Sequence, residues 1–456
     1  MSYSIIQKSE LKSGYRIDAE YYDNYYFDLE KKIKSKKYFN LREISSKSTE
    51  KFKREKDFKY LEIANVNCFN GDYFYAKIKK EDAPSRAQKV LQEKDVVIST
   101  VRPNRNAVVF IKEKSFDMPK VASSGFCVLR DFKNILPEYI YVLFKTFIIR
   151  DLLDRETTAT MYPAVSENDI KDLKIPIPSD GFQKEVAKVV RKADMEREKS
   201  KELYAEAEEI LLEELGLKDY KPTNENIAIV DLNEVEKCKR IDPEFFQPKY
   251  DEILEKINKF KTKTLDDLTI KYTGGFTYKS EKFQEDGVPL IRINNIKKGF
   301  LDLGNTAFLS EEYSDISKKD IARSGDILIS MSGTIGNCVV IPENIKKCCV
   351  NQRILAITPK DINLTYLELF LNSIAGMLQF EKIGVGGLQT NLSTKDILNL
   401  QIPILDQKIQ EKIAKKIKDS HLAREKSKEL LEKAKKAVEI YIEEDEKEAQ
   451  KTLKNN

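Results

Sequence analysis

The pattern of apolar and polar positions divides the chain into two similar halves, each with a β-rich part followed by a helical part. In the β-rich parts, β-branched and aromatic runs are broken by Gly, Pro and Asn, which is typical of strands joined by turns. Val96–Ser99 and Ile327–Ser330 are predicted as buried strands, as are residues 108–111 and 339–341. One short helix is predicted after these strands in each half, over residues 136–151 and 365–380.

In the helical parts, Pro and Gly disappear and apolar positions recur at alternating steps of three and four. The pattern predicts long helices over residues 183–215 and 408–445. Their seams are Val186, Val190, Ala193, Arg197, Ser200, Tyr204, Ala207 and Leu211 in the first helix, and Ile413, Ile417, Ser420, Arg424, Ser427, Leu431, Ala434 and Val438 in the second. We expect the two helices to pack antiparallel; the alternative is that each docks separately on its own domain.

Two motifs recur half a chain apart. Arg16–Tyr22 returns as Arg240–Phe246, and Arg197–Leu203 returns letter for letter as Arg424–Leu430. The offset is 224 at the first motif (240 − 16), 231 at Asp95 and Asp326 (326 − 95), and 227 along the helical parts (424 − 197). A period of half the chain indicates a duplicated domain.

The predicted fold class is therefore α+β: two similar α/β domains separated by two long antiparallel helices, with a pseudo-two-fold internal repeat. Gly216 fits a helix C-terminus, and Pro222 prevents the helix from continuing. The expected boundaries are 1–180 for the first domain, 181–216 for the first spacer helix, 217–226 for a linker, 227–407 for the second domain, 408–447 for the second spacer helix and 448–456 for a tail.

Composition narrows the class of protein. The 79 basic and 75 acidic residues nearly cancel, so a nucleic-acid footprint would have to come from local basic loops. No apolar run approaches the roughly 20 residues that span a bilayer, and the N-terminus lacks a signal-peptide pattern, so a cytoplasmic location is expected. The six cysteines include no C-x-x-C pair and are expected to be reduced, with Cys348 and Cys349 on opposite faces of a strand.

Catalytic motifs are missing from the sequence. There is no phosphate-binding loop, and Gly384–Gly387 does not complete a dinucleotide-binding fingerprint. The single histidine, His421, is expected on an exposed helix surface, which argues against a metal site and against histidine chemistry. Glu62 near Asp57 could form half of a nuclease site, but Arg292 occupies the matching position of the second copy. The sequence favours a binding protein.

Candidate binding residues come from loops in which the two copies differ although their strands agree. Thr100–Asn106 is rich in Arg and Asn, whereas Met331–Asn337 is rich in Gly, Ser and Thr. Such side chains hydrogen-bond base edges and phosphates, although each could instead cap or form a turn. The candidates are Arg102, Asn104, Arg105, Asn106 and Lys120 in the first copy, and Lys279, Arg292, Asn294, Asn295, Thr334, Asn337, Asn351 and Arg353 in the second; Tyr162 faces residues 389–391 in a third divergent loop.

Taken together, these features resemble the specificity subunit of a type I restriction-modification system, over nearly the whole chain. The resemblance rests on the Arg-Ile-Asp-x-Glu-aromatic-aromatic entry, the Gly325–Ser330 strand, Gly333–Gly336, Val350–Gln352, the exit from Leu392 to Pro403 and the long helix. The first copy departs from it, because Lys94 replaces the glycine and Arg102–Asn106 replaces the Gly-rich loop. Its base preference is therefore not inferred from the second copy.

The resemblance implies a non-catalytic DNA-binding subunit in which each domain recognises one half of a bipartite, asymmetric duplex site and the helices set the gap. The implied partners are double-stranded DNA, two methyltransferase subunits and restriction–translocase subunits. No cofactor is expected in this chain, since S-adenosylmethionine, ATP and Mg²⁺ would be bound by the partners. The alternatives are a recognition subunit of a type IIB- or IIG-like methyltransferase–nuclease assembly, a coiled-coil scaffold without a DNA role, and a stand-alone nuclease or methyltransferase.

Overall fold

The computed structural model describes residues 16–48, 50–68, 71–112, 118–158, 162–223, 227–304, 306–317, 319–384 and 391–454. The chain forms two compact units. Unit 1 comprises residues 1–198 and 423–456, and unit 2 comprises residues 199–422. Each long helix therefore contributes one segment to each unit.

Unit 1 consists of ten strands and a set of helices in its described part. The strands are β1 (Tyr38–Asn40), β2 (Ser46–Lys47), β3 (Phe58–Leu61), β4 (Ala76–Ile78), β5 (Ala87–Val90), β6 (Val96–Ser99), β7 (Val108–Phe110), β8 (Lys120–Ser123), β9 (Phe126–Arg130) and β10 (Lys174–Pro176). The helices are α1 (Asn24–Lys34), α2 (Leu41–Ile44), α3 (Pro137–Lys145), α4 (Phe147–Arg155), α5 (Glu167–Asp172) and the start of α6 (Asp180–Glu214).

Unit 2 follows a similar order, with an additional two-stranded hairpin. Its strands are β11 (Thr262–Thr264), β12 (Thr269–Gly274), β13 (Val288–Ile291), β14 (Ile296–Lys297), β15 (Phe300–Leu301), β16 (Ala307–Leu309), β17 (Ile321–Ala322), β18 (Ile327–Ser330), β19 (Cys338–Val340), β20 (Cys348–Val350), β21 (Ile354–Pro359) and β22 (Gln401–Pro403). Its helices are α7 (Leu232–Cys238), α8 (Pro248–Ile257), α9 (Glu311–Ser314), α10 (Leu364–Asn372), α11 (Ile374–Ile383), α12 (Thr394–Leu398) and the start of α13 (Gln407–Glu443), and α14 (Glu446–Lys454) belongs to unit 1.

The two units share one sheet topology. An antiparallel sheet of order β2-β9-β6-β7 in unit 1 corresponds to β12-β21-β18-β19 in unit 2. A second sheet of order β4-β3-β8-β5 corresponds to β16-β13-β20-β17, and in each the two middle strands are parallel. The pairs β1–β10 and β11–β22 complete the match. The α+β fold and the internal repeat predicted from the sequence are confirmed.

The central strands β6 and β18 are buried on both faces. Val96 and Ile98 pack into a cluster with the helices, whereas Val97 packs into a separate cluster between the two sheets. In unit 2, Ile327 and Leu328 divide between two clusters in the same way. A strand with no solvent-exposed face does not need alternating apolar and polar residues. Burial on both faces therefore explains the continuous apolar runs. The strands predicted here are confirmed.

A left-handed turn leads into each central strand. Gly325 adopts φ +86 before β18, and Lys94 adopts φ +69 at the matching position before β6. The following aspartates close the turn in both units: the Asp95 carboxylate accepts from the Gln92 N–H at 2.7 Å, and the Asp326 carboxylate accepts from the Arg323 N–H at 2.8 Å. The turn is thus kept although the first copy lacks the glycine.

The predicted short helices are each split in two, which corrects the sequence-based expectation. Residues 136–151 form parts of α3 and α4 with a break at Thr146 (ψ 152), and residues 365–380 form parts of α10 and α11 with a break at Ser373 (ψ 171). The Thr146 hydroxyl accepts from the Ile149 N–H at 3.5 Å and so caps α4. A single extended cap residue leaves the apolar content of the segment unchanged, so the pattern shows one helix where there are two.

The long helices α6 and α13 pack on each other within each unit. In unit 1 the Ser427 hydroxyl donates to the Ala193 carbonyl at 2.6 Å. In unit 2 the Ser420 hydroxyl donates to the Ser200 carbonyl at 2.7 Å. Partner numbers on α13 fall as those on α6 rise, so the helices are antiparallel, as predicted. Small side chains at these points, buried at Ala193, Ser200 and Ser420, allow the close approach.

Each unit also attaches a β-hairpin segment to its part of the helix pair. In unit 1, Asp72 pairs with Arg197 at 2.9 Å. In unit 2, Lys298 pairs with Glu208 at 3.0 Å, and the Gly299 carbonyl lies 3.0 Å from His421 Nε2. His421 is therefore half-buried in a contact with the domain, and the expectation of an exposed surface histidine is wrong.

The structure also tests the predictions about the C-terminal end of α6 and about the adjacent cysteines. Gly216 adopts φ +65 after α6, and the Leu217 N–H donates to the Leu212 carbonyl at 2.7 Å, which confirms the predicted helix terminus. Cys348 and Cys349 lie on β20 and belong to different core clusters, so they face opposite sides of the strand. Burial raises the pKa of the Cys348 thiol to about 12. Within the described ranges, no helix is both long and apolar enough to cross a bilayer.

Candidate nucleic-acid interface

The duplicated Arg-Ile-Asp motif closes the end of a helix in both units. Arg240 pairs with Asp242 and donates to the carbonyls of Ile383 and Gly384 at the C-terminus of α11. Arg16 pairs with Asp18 at 2.7 Å and donates to the Thr157 carbonyl at 3.2 Å. Hydrogen bonding from Arg240 lowers the pKa of the Asp242 carboxyl. The motif fixes the chain just before the third divergent loop, of which residues 159–161 and 385–390, including most of Gly384–Gly387, lie outside the described residues.

In the first domain, four segments meet at one edge of the sheets. The Thr100 N–H after β6 donates to the Gly125 carbonyl at 2.9 Å, and the Val165 N–H donates to the Thr100 carbonyl at 2.9 Å. A Cβ atom added to Gly125 would lie 3.1 Å from Ile63 Cδ1, which follows β3. The parallel strands β3 and β8 bring their C-terminal ends to this edge.

The second domain repeats both hydrogen bonds of Thr100 at the matching residue, Met331. The Met331 N–H donates to the Arg353 carbonyl and the Leu392 N–H donates to the Met331 carbonyl, both at 2.9 Å. The Asn351 N–H donates to the Ile291 carbonyl at 2.9 Å. We call this surface the loop edge: residues 62–66, 100–106, 124–125 and 162–165 in the first domain, and residues 292–296, 331–337, 351–353 and 391–392 in the second.

The 100–106 loop of the first domain carries one exposed and one half-buried arginine, Arg105 and Arg102. Arg102 and Asn106 both adopt left-handed conformations, with φ +50 and φ +57, around a 3-10 turn at Pro103–Arg105. Asn104 and Arg105 are exposed. The Arg102 guanidinium lies 5.2 Å from the centroid of the Tyr162 ring, which is 66% exposed. The loop edge of this domain therefore combines two arginines, an asparagine and an exposed aromatic ring.

Two candidates of the first domain instead have partners within the protein. The Asn106 side-chain amide donates to the Lys145 carbonyl at 3.0 Å. Lys120, on β8, is only 5% exposed, and its ammonium lies 5.5 Å from the centroid of the Tyr75 ring. The side chains of Asn106 and Lys120 therefore pack beneath the loop edge and stabilise it.

Lys145 is a residue that the sequence did not single out. It is 3% exposed, and its ammonium donates to the Cys68 carbonyl at 2.7 Å and to the Asn106 carbonyl at 3.1 Å. Burial lowers the pKa of Lys145 to about 7. The matching residue of the second domain, Asn372, bonds the backbone N–H and carbonyl of Cys338, one residue beyond the counterpart of Asn106. Lys145 ends the helix Pro137–Lys145, where a basic residue is common, so the sequence held no signal for its role.

In the second domain, most candidates meet at the loop edge. Asn294, Thr334 and Arg353 are exposed, and Asn337 and Asn351 are half-buried. Lys279 is exposed and follows Phe276, whose N–H donates to the Val350 carbonyl at 2.9 Å.

Arg292 and Asn295 differ from these candidates. The Arg292 guanidinium carbon lies 5.8 Å from the centroid of the Phe283 ring. Asn295 is buried. Its side-chain oxygen Oδ1 accepts from the Arg292 backbone N–H at 2.9 Å, and its side-chain Nδ2 donates to the Asp302 backbone carbonyl at 2.8 Å. The Asn295 side chain therefore holds the turn beneath Asn294.

The charge distribution of the loop edge suits an anionic or polar partner more than a metal ion. Among the described residues, no group of three or more His, Cys, Asp or Glu side chains could hold a metal. The exposed side chains include Asn104, Arg105, Asn294 and Arg353, with one carboxylate, Glu62. Two copies of one framework with different polar loops define a binding protein with two related, non-identical recognition surfaces.

Comparison with known proteins identifies the family. A model of the type I restriction modification DNA specificity domain matches residues 30–209 and again residues 257–436. The chain belongs to this family, and the resemblance inferred from the sequence is confirmed.

Characterised relatives match over most of the chain. The type I restriction enzyme MjaVIII specificity subunit of Methanocaldococcus jannaschii is 23% identical over 321 residues, covering 67% of this chain and 69% of the relative. The type I restriction enzyme HindI specificity subunit of Haemophilus influenzae is 22% identical over 424 residues, covering 80% and 89%.

Solved structures also align with the chain. The HsdS subunit from Thermoanaerobacter tengcongensis aligns with a TM-score of 0.33 and 19% identity, covering 90% of this chain and 97% of that chain. The S subunit of a type I restriction-modification system from M. genitalium aligns with a TM-score of 0.37 and 14% identity, covering 92% and 96%.

The close approach of two segments at the second loop edge gives a prediction about stability. A Cβ atom added to Gly275 would collide with the Asn351 carbonyl, whereas one added to the neighbouring Gly274 would meet nothing within 4 Å. Gly275→Ala should lower the free energy of unfolding by about 1–3 kcal/mol through overpacking. Gly274→Ala, the matched control, should change it by about 0.5 kcal/mol or less. Thermal unfolding of both variants measures the difference, and equal stabilities would contradict the packing of residues 275 and 351.

Proposed function

We propose that this chain is the DNA-recognition subunit of a type I restriction-modification complex and that each of its domains contacts one half of a bipartite duplex site through its loop edge. The observation that carries the proposal is internal to the molecule. The two domains share the backbone hydrogen bonds beneath their loop edges, yet they differ in the side chains above them. Two domains with the same backbone framework and different exposed side chains suit two half-sites of unlike sequence.

The chemistry of the exposed side chains supports a duplex DNA partner. The exposed Arg105 and Arg353 and the half-buried Arg102 can donate two hydrogen bonds each to guanine or to phosphate, and the exposed Asn104 and Asn294 can pair with adenine. Phosphate contacts would position each domain, and base contacts would set its preference. The individual contacts remain predictions, and among them the exposed residues are favoured over the buried Lys120 and Asn295.

We further infer that the chain contributes recognition and that its partners contribute catalysis. Two methyltransferase subunits would use S-adenosylmethionine to methylate adenine, and restriction subunits would use ATP and Mg²⁺. The proposed site of action is the cytoplasm. The long helices would fix the distance between half-sites and provide the surface on which the methyltransferase subunits dock.

The test of this function maps methylation in cells that express the chain with its methyltransferase partner. The expected result is methylated adenine in one bipartite sequence. Replacing residues 100–106 with the matching loop of a relative should change one half of that sequence and leave the other half intact, because the exchange alters one loop edge only. Arg42→Ala, at an exposed arginine of α2 away from the loop edge, is the control and should leave the sequence unchanged. Methylation without a sequence preference would contradict the proposal.

The spacer role gives a separate prediction. Duplicating Arg197–Leu203 in α6 and Arg424–Leu430 in α13 inserts one heptad in each helix and keeps the seam in phase. Seven helical residues add about 10 Å, so the gap between half-sites should grow by roughly three base pairs while both halves keep their sequence. A three-residue insertion at the same points, which rotates the seam by about 60°, is the control and should abolish methylation. An unchanged gap after the heptad insertion would refute the spacer role.

A further inference from the structure

One position of the loop edge carries opposite charges in the two domains. Glu62 in the first domain aligns with Arg292 in the second (292 − 62 = 230). Both residues follow a parallel strand, β3 or β13, and precede a 3-10 turn. Their backbones agree closely, with φ −111 and ψ 166 at Glu62 and φ −117 and ψ 165 at Arg292. The two side chains therefore leave their domains from equivalent places.

The surroundings of Glu62 leave its carboxylate available to accept hydrogen bonds from a partner molecule. The residue is exposed although its neighbour Leu61 is fully buried. Within the described part of the chain, the Glu62 carboxylate has no hydrogen bond or ion pair. The adjacent Ile63 lies against Gly125, which in turn contacts Val101 at the start of the arginine loop. An acceptor thus stands on the loop edge close to the arginine loop.

A carboxylate at this point is informative because it accepts hydrogen bonds and repels phosphate. Facing the DNA backbone it would weaken binding, so its place on the loop edge suits a base edge that donates. In the major groove, cytosine presents the N4 amino donor, whereas adenine places the acceptor N7 beside its amino group. The N7 lone pair would repel a carboxylate, which favours cytosine.

We propose that Glu62 is a specificity-determining residue that accepts a hydrogen bond from the N4 amino group of one cytosine in the half-site of the first domain. This inference rests on the proposed function and adds one position of the recognised sequence to it. At the equivalent place in the second domain, the Arg292 guanidinium would donate to guanine. A single framework position would then select opposite hydrogen-bonding patterns in the two halves of the site.

The experiment selects duplexes from a randomised library with the complex of the chain and its methyltransferase subunits, using the wild type, Glu62→Ala and Glu81→Ala. Alanine removes the acceptor, which glutamine would keep in its amide oxygen. Glu81 is also exposed in the first domain, and it lies in the turn after β4, beyond the opposite end of β3. The wild type and the Glu81→Ala control should select the same site, with cytosine at one position of the half-site altered by the 100–106 exchange. Glu62→Ala should lose that preference by roughly tenfold or more and keep the others.

A modified duplex provides the second measurement. Replacing the selected cytosine with 2-pyrimidinone removes the N4 amino group, which should weaken binding by the wild type about tenfold and leave binding by Glu62→Ala nearly unchanged. An unaltered selection profile for Glu62→Ala, or a base other than cytosine at the affected position, would overturn this inference alone. If the wild type selects no bipartite site, the proposed function fails as well. Matching thermal unfolding of the variants excludes misfolding as the cause of a lost preference.

Discussion

The architecture of each domain depends on a central strand that is buried on both faces. β6 packs against helices on one side and against the second sheet on the other, and β18 does the same. A strand enclosed in this way has little freedom to slip in register, because every side chain would lose its pocket. The residue that follows the strand, Thr100 or Met331, is therefore held in place, and its backbone anchors two further loop segments. The divergent loops can vary in sequence because the hydrogen bonds that the two domains share, at Thr100 and Met331, join backbone atoms.

A second constraint acts on the long helices. Two inter-helix hydrogen bonds run from serine hydroxyls of α13, at Ser420 and Ser427, to backbone carbonyls of α6. Positions 193 and 420 are equivalent in the repeat, as are 200 and 427, so the two hydrogen bonds mark corresponding points of the duplicated helix. A serine in place of a larger residue gives up apolar burial at these points and allows the backbones to approach. The seam thus favours a defined register over maximal burial.

Much of the fold was predictable from the sequence because its signals are local and periodic. The apolar runs of the central strands, the seam of the long helices and the duplicated motifs each follow from spacing alone. The breaks at Thr146 and Ser373 were not predictable, since one cap residue hardly changes an apolar pattern. The half-burial of His421 depends on a hairpin more than a hundred residues away in sequence, at Gly299.

The candidate site was predictable to a smaller extent for a related reason. Divergence between the copies identified the right segments, because framework and loops are under different physical constraints. It did not separate side chains that project outward from side chains that support the loops. Lys120 and Asn295 look like surface residues in the sequence, yet an aromatic ring covers the first and a turn encloses the second. From the sequence alone, Glu62 suggests only half of a nuclease pair. Its alignment with Arg292 indicates a recognition role once the backbones of the two residues are known to be equivalent.

Site-specific photocrosslinking tests most directly whether the two domains of one chain contact different halves of one duplex. A photoreactive side chain would replace Arg105 in one sample and Thr334 in another, and each complex would be irradiated on a duplex carrying the selected site. The account predicts that the probe at position 105 labels only one half-site and that the probe at position 334 labels only the other. Labelling of the same half by both probes, or labelling spread evenly along the duplex, would contradict it.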